Sequence, residues 1–222
     1  MITTFLAKRI EHAVLAPQAT EGDVAAGAQT AMQWSVRALV VKPCHVRTAV
    51  RLLGGSEVIL ATVIGFPHGG QATSTKVAET RQAIADGAQE IDMVINIGDL
   101  RQRKIADVFY EIRAVVEAGQ GRPVKVILET AYLSDAEKRL GCRLAVRAGA
   151  KYVKTNTGFG PAGATTADVA LMRRVVGRRA GIKAAGGIRT SALAMSLIHM
   201  GADLIGTSST EAILSEAARE AA

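Results

Sequence analysis

Three charged residues interrupt stretches that are otherwise apolar. Asp92 stands in Glu90-Ile-Asp-Met-Val-Ile-Asn96, Lys154 in Tyr152-Val-Lys-Thr-Asn-Thr-Gly158, and Lys183 in Gly181-Ile-Lys-Ala-Ala-Gly-Gly187. A charge buried alone is costly, so such groups pair with one another or shift their pKa. One aspartate and one lysine would make an ordinary buried ion pair. Two lysines and an aspartate in three separate strand-like segments point to a reactive site instead. A lysine attacks a carbonyl only as the neutral amine, and a second ammonium nearby lowers its pKa by repulsion. An adjacent carboxylate can then move protons as general acid or base. The product of attack is a carbinolamine and then a Schiff base, whose protonated imine is an electron sink for making or breaking a C–C bond. His12, His45, His68 and His199 are scattered without metal-ligand spacing, so no metal site and no cofactor is expected.

These residues must be held by a scaffold, and the chain reads as strand then helix, repeated. Short β-branched stretches occur at Ala38–Val41, Val58–Ile64, Ile91–Ile97, Val124–Glu129, Tyr152–Thr155, Gly181–Ala184 and Leu204–Thr207. They lack strict alternation, as expected of parallel strands covered on both faces. Ile10–Leu15, ended by Pro17, supplies an eighth. Helical stretches include Ser74–Gly87, Ile105–Ala118, Ser134–Ala148, Thr166–Gly177 and Ser191–Met200. Ser134 before Asp135 and Glu137 is an N-cap signal, and Thr190 or Ser191 opens the late helix. Gly87, Gly149 and Gly201 each precede Ala just before a strand, where a left-handed glycine stops a helix. Eight β-α units in 222 residues fit one domain, residues 1–222, folded as a small (β/α)8 TIM barrel. An open doubly wound sheet is the alternative, but no G-x-G-x-x-G follows the first strand.

In such a barrel the C-terminal strand ends face the active site, and the loops after the last two strands hold phosphate. Gly186-Gly187 follows the Lys183 strand, and Gly206-Thr-Ser-Ser209 ends the last one. Backbone N–H groups and hydroxyls at these points would cradle an anion.

Composition narrows the function classes. Apolar residues form 49% of the chain and charged residues 21%, the profile of a globular domain rather than a disordered one. No segment approaches the roughly 18 apolar residues of a membrane span, and Met1–Ile10 lacks a signal-peptide core, so a cytoplasmic protein with no membrane partner is expected. Cys44 and Cys142 lie far apart without CxxC spacing and read as inert thiols. The net charge of +7 is dispersed. Its densest cluster, Arg173, Arg174, Arg178 and Arg179, reads as a solvated helix face with no aromatic platform, so no nucleic-acid partner is expected.

Several segments resemble the 2-deoxyribose-5-phosphate aldolase family. They are Ile64-Gly-Phe-Pro67, Ala88-Gln-Glu-Ile-Asp-Met-Val-Ile-Asn-Ile-Gly98, Val124-Lys-Val-Ile-Leu-Glu-Thr130, Tyr152-Val-Lys-Thr-Asn-Thr-Gly-Phe159, Gly163-Ala-Thr165, Lys183-Ala-Ala-Gly-Gly-Ile-Arg-Thr190 and Ile205-Gly-Thr-Ser-Ser209. The resemblance covers nearly the whole chain. It implies a (β/α)8 class I aldolase that cleaves 2-deoxyribose 5-phosphate reversibly into glyceraldehyde 3-phosphate and acetaldehyde. It further implies Lys154 as the Schiff-base lysine, Lys183 as the group that lowers its pKa and assists proton transfer, and Asp92 as the proton relay. Thr157 would touch substrate, and Gly186, Gly187, Ser208 and Ser209 would hold its phosphate. The implied partners are a phosphorylated aldose and a small aldehyde, and a homo-oligomer is compatible with the resemblance.

The chain also departs from the family. Where the family opens Asp-His-Thr-Leu-Leu-Lys-Pro, this chain has Glu11-His-Ala-Val-Leu-Ala-Pro17. Its second strand reads Leu39-Val-Val-Lys-Pro43 against Val-Cys-Val-Asn-Pro, and Asn156 replaces a serine. Leu204 replaces an arginine, and Glu216–Ala222 holds no tyrosine of the kind that ends some members. Ala13, Lys42 and Asn156 bear on substrate preference and leave open a related lyase for another sugar phosphate or aldehyde. Lys42 reads as a solvated strand-end lysine; the sharper expectation is a positive charge at the barrel mouth.

Overall fold

The computed structural model describes residues 2–220. A short helix α1 (Ile2–Ala7) leads into β1 (Ile10–Val14) and α2 (Glu21–Gln33). The alternation continues with β2 (Ala38–Val41), α3 (Val46–Leu52), β3 (Ile59–Ile64), α4 (Thr73–Ala85), β4 (Glu90–Val94), α5 (Ile97–Arg101) and α6 (Ile105–Ala118). It ends with β5 (Val124–Ile127), α7 (Asp135–Arg147), β6 (Tyr152–Lys154), α8 (Thr166–Val176), β7 (Gly181–Ala185), α9 (Ser191–His199), β8 (Leu204–Thr207) and α10 (Thr210–Glu220). Every strand runs parallel to the next, and β8 closes on β1 through Ile10 opposite Ile205 and His12 opposite Thr207. The fold is the expected (β/α)8 TIM barrel, and that closing pair rules out the open sheet.

Strand parity sorts the side chains. Ile91 and Met93 on β4, Val124 and Val126 on β5, and Ile182 and Ala184 on β7 point outward into the main core, between barrel and helices. The helices meet them with apolar stripes, such as Val108, Ile112 and Val115 on α6. Each such side chain, fully buried, contributes about 1.5–3 kcal/mol. Alternate residues point into the barrel, where Val40, Ala61 and Val63 form a second, smaller apolar cluster with Ala13 packed on it. The opposite interior wall, from β4 to β7, carries Glu90, Asp92, Lys125, Lys154 and Lys183.

Local signals act as expected at several helix ends. Ser134 and Glu137 form a reciprocal capping box at α7, and Thr190, not Ser191, caps α9 by accepting from the Leu193 N–H at 3.2 Å. Gly87, Gly149 and Gly201 take φ of +112°, +93° and +113°, the stop conformation that a side chain would strain. Two strands end earlier than their apolar sequence suggests. Asn96 leaves the sheet to cap α5, accepting from the Asp99 N–H at 3.1 Å. Beyond β5, Glu129 adopts φ +55°, which no strand residue can hold. The arginine cluster is not wholly a solvated face either. Arg174, Arg178 and Arg179 are exposed, but half-buried Arg173 donates to the carbonyl of Gly201 at 2.7 Å and to Asp203 at 2.5 Å, tying α8 to the turn before β8.

Candidate active site

The side chains singled out in the sequence converge inside the barrel because neighbouring strands bring them level. Asp92 lies opposite Lys125 across β4 and β5, and Lys154 lies opposite Lys183 across β6 and β7. Asp92 is fully buried, and three ammonium groups donate to it: Lys183 at 2.7 Å, Lys125 at 2.8 Å and Lys154 at 2.9 Å. Lys183 also donates to Glu11. Lys125 reaches Glu90 at 2.7 Å and Glu11 at 3.4 Å. Arg37 closes the lower end, pairing with Glu90 and with Glu11.

Burial and pairing pull these groups in opposite directions. Burial alone would push the Asp92 carboxyl up, but Lys125, Lys154 and Lys183 together hold it well below the usual carboxylate range. Burial would strip the proton from Lys125, yet Asp92, Glu11 and Glu90 outweigh it and raise its pKa. Lys154 goes the other way. Burial lowers it first, the Lys183 ammonium adds to that, and Asp92 only partly opposes, leaving a pKa of about 8. Of the two causes that the sequence suggests, burial and the Lys183 ammonium, burial is the larger.

Lys154 and Lys183 form part of the wall of a cavity of about 350 Å³ at the C-terminal mouth. Gly186, Gly187, Ser208 and Ser209 line it at the ends of β7 and β8. Gly186 and Gly187 take φ of +98° and +71°, so their backbone meets the cavity uncovered by side chains. Across the cavity stand Ala13, Leu15, Ala16 and Val40, an apolar wall.

Thr157 lines the cavity, but its hydroxyl is engaged. It donates to Glu129 and accepts the Phe159 N–H at 3.0 Å. Toward a ligand it can therefore only accept a hydrogen bond. Asn156 is turned away and buried, its Oδ1 accepting from the Thr130 hydroxyl at 3.1 Å and the Ala131 N–H at 3.2 Å. Lys42 is half-buried, and its ammonium donates to the carbonyls of Pro17 at 2.9 Å and Ala19 at 3.0 Å, in the loop whose Gln18 and Ala19 line the cavity. Cys44 is exposed and Cys142 buried, both as free thiols.

Glu11, Lys125 and Glu129 were not weighed as candidates from the sequence. Lys125 carries the same signal as Lys154, a charge inside an apolar strand, and Glu11 stands in plain view in the first strand. Glu129 had no local signal, because its left-handed backbone is imposed by the loop.

A closed barrel with a buried lysine of lowered pKa beside a mouth cavity defines a class of protein, the lysine-bearing (β/α)8 enzymes. The DeoC/LacD family aldolase model matches residues 6–216. Deoxyribose-phosphate aldolase 1 of Bacillus licheniformis is 47% identical over 214 residues, covering 96% of each chain. The deoxyribose-phosphate aldolase of Carboxydothermus hydrogenoformans is 45% identical over 216 residues, covering 96% of this chain and 95% of that one. The tetrameric deoxyribose phosphate aldolase of Aeropyrum pernix superposes with a TM-score of 0.90 at 33% identity, over 96% of this chain and 91% of the other. The chain belongs to the DeoC/LacD aldolase family and is an aldehyde-lyase. No helix among the described residues is long and apolar enough to cross a membrane.

Proposed function

We propose that this protein, acting as one catalytic domain, is a class I aldolase that cleaves 2-deoxy-D-ribose 5-phosphate reversibly into D-glyceraldehyde 3-phosphate and acetaldehyde. The observation that carries the reading is Lys154: buried, with a pKa of about 8, held by a single carboxylate and bordering the cavity. The names of the relatives from Bacillus licheniformis and Carboxydothermus hydrogenoformans support the substrate.

The neutral Lys154 amine adds to the aldehyde carbon of the open-chain sugar. The carbinolamine hydroxyl leaves as water, taking a proton from the Lys183–Asp92 pair, and an iminium remains. The C2–C3 bond then breaks, its electron pair moving into the iminium to give an enamine while the C3 hydroxyl passes its proton to Asp92. Glyceraldehyde 3-phosphate departs. The enamine recovers a proton at C2, and water hydrolyses the resulting iminium to acetaldehyde and free Lys154. Gly186, Gly187, Ser208 and Ser209 hold the phosphate, and Thr157 accepts a hydrogen bond from a sugar hydroxyl. The test is a retro-aldol assay on 2-deoxyribose 5-phosphate, with peptide mapping after sodium borohydride reduction. Both products and an adduct on Lys154 are expected; an adduct on Lys183 would reverse the lysine roles.

The apolar wall of Ala13, Ala16 and Val40 favours a second reading, a lyase for another sugar phosphate or a less hydroxylated aldehyde. A panel of phosphorylated and free aldoses separates the two. Preference for 2-deoxyribose 5-phosphate supports the first, and preference for another sugar phosphate or for an unphosphorylated aldehyde supports the second.

A further inference from the structure

The charged wall of the barrel does not balance if every group is ionised. Three carboxylates, Glu11, Glu90 and Asp92, face four cationic side chains, Arg37, Lys125, Lys154 and Lys183. In a medium of low dielectric an uncompensated charge is expensive, so one cation should give up its proton. Arg37 cannot. Lys125 touches all three carboxylates. Lys183 touches two, Glu11 and Asp92. Lys154 touches only Asp92, at 2.9 Å. The count of partners, not depth, separates the two lysines that border the cavity, since Lys154 is 2% exposed and Lys183 1%. What Lys183 has and Lys154 lacks is Glu11.

We propose that Glu11 is a positioning residue of the reaction: by pairing with the Lys183 ammonium in addition to Asp92, it keeps the proton on Lys183 and leaves Lys154 as the attacking amine. This rests on the Schiff-base reading above and deepens it. Glu11 reaches this place because it shares the inward parity of Ala13 on β1, and it is itself held by Arg37. The titratable and charged groups facing the cluster are Glu11 from β1, Arg37 from the turn into β2, Glu90 and Asp92 from β4, Lys125 from β5, Lys154 from β6 and Lys183 from β7, with Tyr152 beside Arg37 at the lower end.

The sign of the effect follows from charge. The Glu11 carboxylate favours the protonated form of Lys154 as well as that of Lys183, so its neutral isostere leaves the cluster more positive and both protons easier to lose. In Glu11→Gln the whole pH profile of turnover should move to lower pH, by about one unit, with a lower maximum. Glu11→Asp, which keeps the charge but sets it back by a methylene, should move the profile less and in the same direction, with most of the rate restored.

The experiment begins with acetaldehyde and sodium borohydride on the wild-type protein, mapping the adduct. No adduct on either lysine overturns the Schiff-base reading itself, whatever Glu11 does, and an adduct on Lys183 alone overturns this proposal. With the Lys154 adduct in hand, trapping and turnover are followed against pH in wild type, Glu11→Gln and Glu11→Asp. An acid-side displacement graded Gln over Asp supports the proposal. A Glu11→Gln enzyme that is slower but keeps the wild-type profile overturns it, because a purely structural role lowers the rate without moving the pH dependence. Should Glu11→Gln not fold, an undisplaced Glu11→Asp profile overturns it equally.

Discussion

Lys76 and Lys154 are buried under nearly equal cover, yet only one of the two borders a cavity. Lys76, on α4 outside the barrel, is fully buried and donates to the carbonyl of Gly69 at 2.7 Å, that of Val94 at 2.8 Å and Glu111 at 2.5 Å. Its three N–H groups have three acceptors. Lys154, inside the barrel, has one acceptor, Asp92, and a cavity beside it. Burial lowers the pKa of both. Depth alone therefore does not make a nucleophile. The amine must also have room to lose its proton and a carbonyl must be able to reach it. Lys76 is a pin that ties the loop after β3 to β4 and α6, and Lys154 is a group held in reserve.

The comparison breaks most visibly at Lys154. Lys154→Met should lose turnover to the detection limit and lose the borohydride adduct, in a retro-aldol assay and peptide map respectively. Turnover within tenfold of wild type would remove Lys154 from the chemistry. Next in size is Lys183→Met, expected to slow turnover by roughly 10²–10⁴-fold. It also removes an ammonium that helps depress Lys154. The wild-type acid limb should lie near pH 8, since below the Lys154 pKa of about 8 the amine carries a proton and cannot attack. Without Lys183 that limb should move to higher pH. A rate loss with a fixed limb would mean that Lys183 acts on protons only.

Lys76→Met sharpens the contrast from the other side. It strands Glu111 in the interior, at a cost of about 3–5 kcal/mol in a denaturant titration. The folded variant should keep the wild-type pH profile, and a displaced profile would show that Lys76 communicates with the site. The smallest effect is expected at Lys42. Because two loop carbonyls hold its ammonium and its side chain does not line the cavity, Lys42→Ala should change KM for the phosphorylated and unphosphorylated sugar alike, by less than about threefold. A selective rise for the phosphorylated sugar would restore the charged-mouth expectation.

Asp92, Lys154 and Lys183 were legible in the linear chain because a charge among Ile and Val has few stable explanations. The same rule applies to Lys125, a charge between Val124 and Val126. Nothing in Val124-Lys-Val-Ile127 says that Lys125 lies deeper in the barrel, with three carboxylates around it, whereas Lys154 borders the mouth. Thr157 was legible as a cavity residue but not as one whose proton is already given to Glu129.

Residue order along the chain is enough for the β-α alternation, the cap at Ser134, the glycine stops and the choice of Asp92, Lys154 and Lys183 as charges that must meet, since each depends on neighbours a few positions away or on the cost of burying charge. How many carboxylates each lysine meets, where Lys42 points and which atoms of Thr157 remain available follow from the closed barrel alone. Those outcomes turn on hydrogen-bond partners supplied by other strands and loops, such as Glu11 and Lys183, which are distant in sequence and meet only when β8 closes on β1.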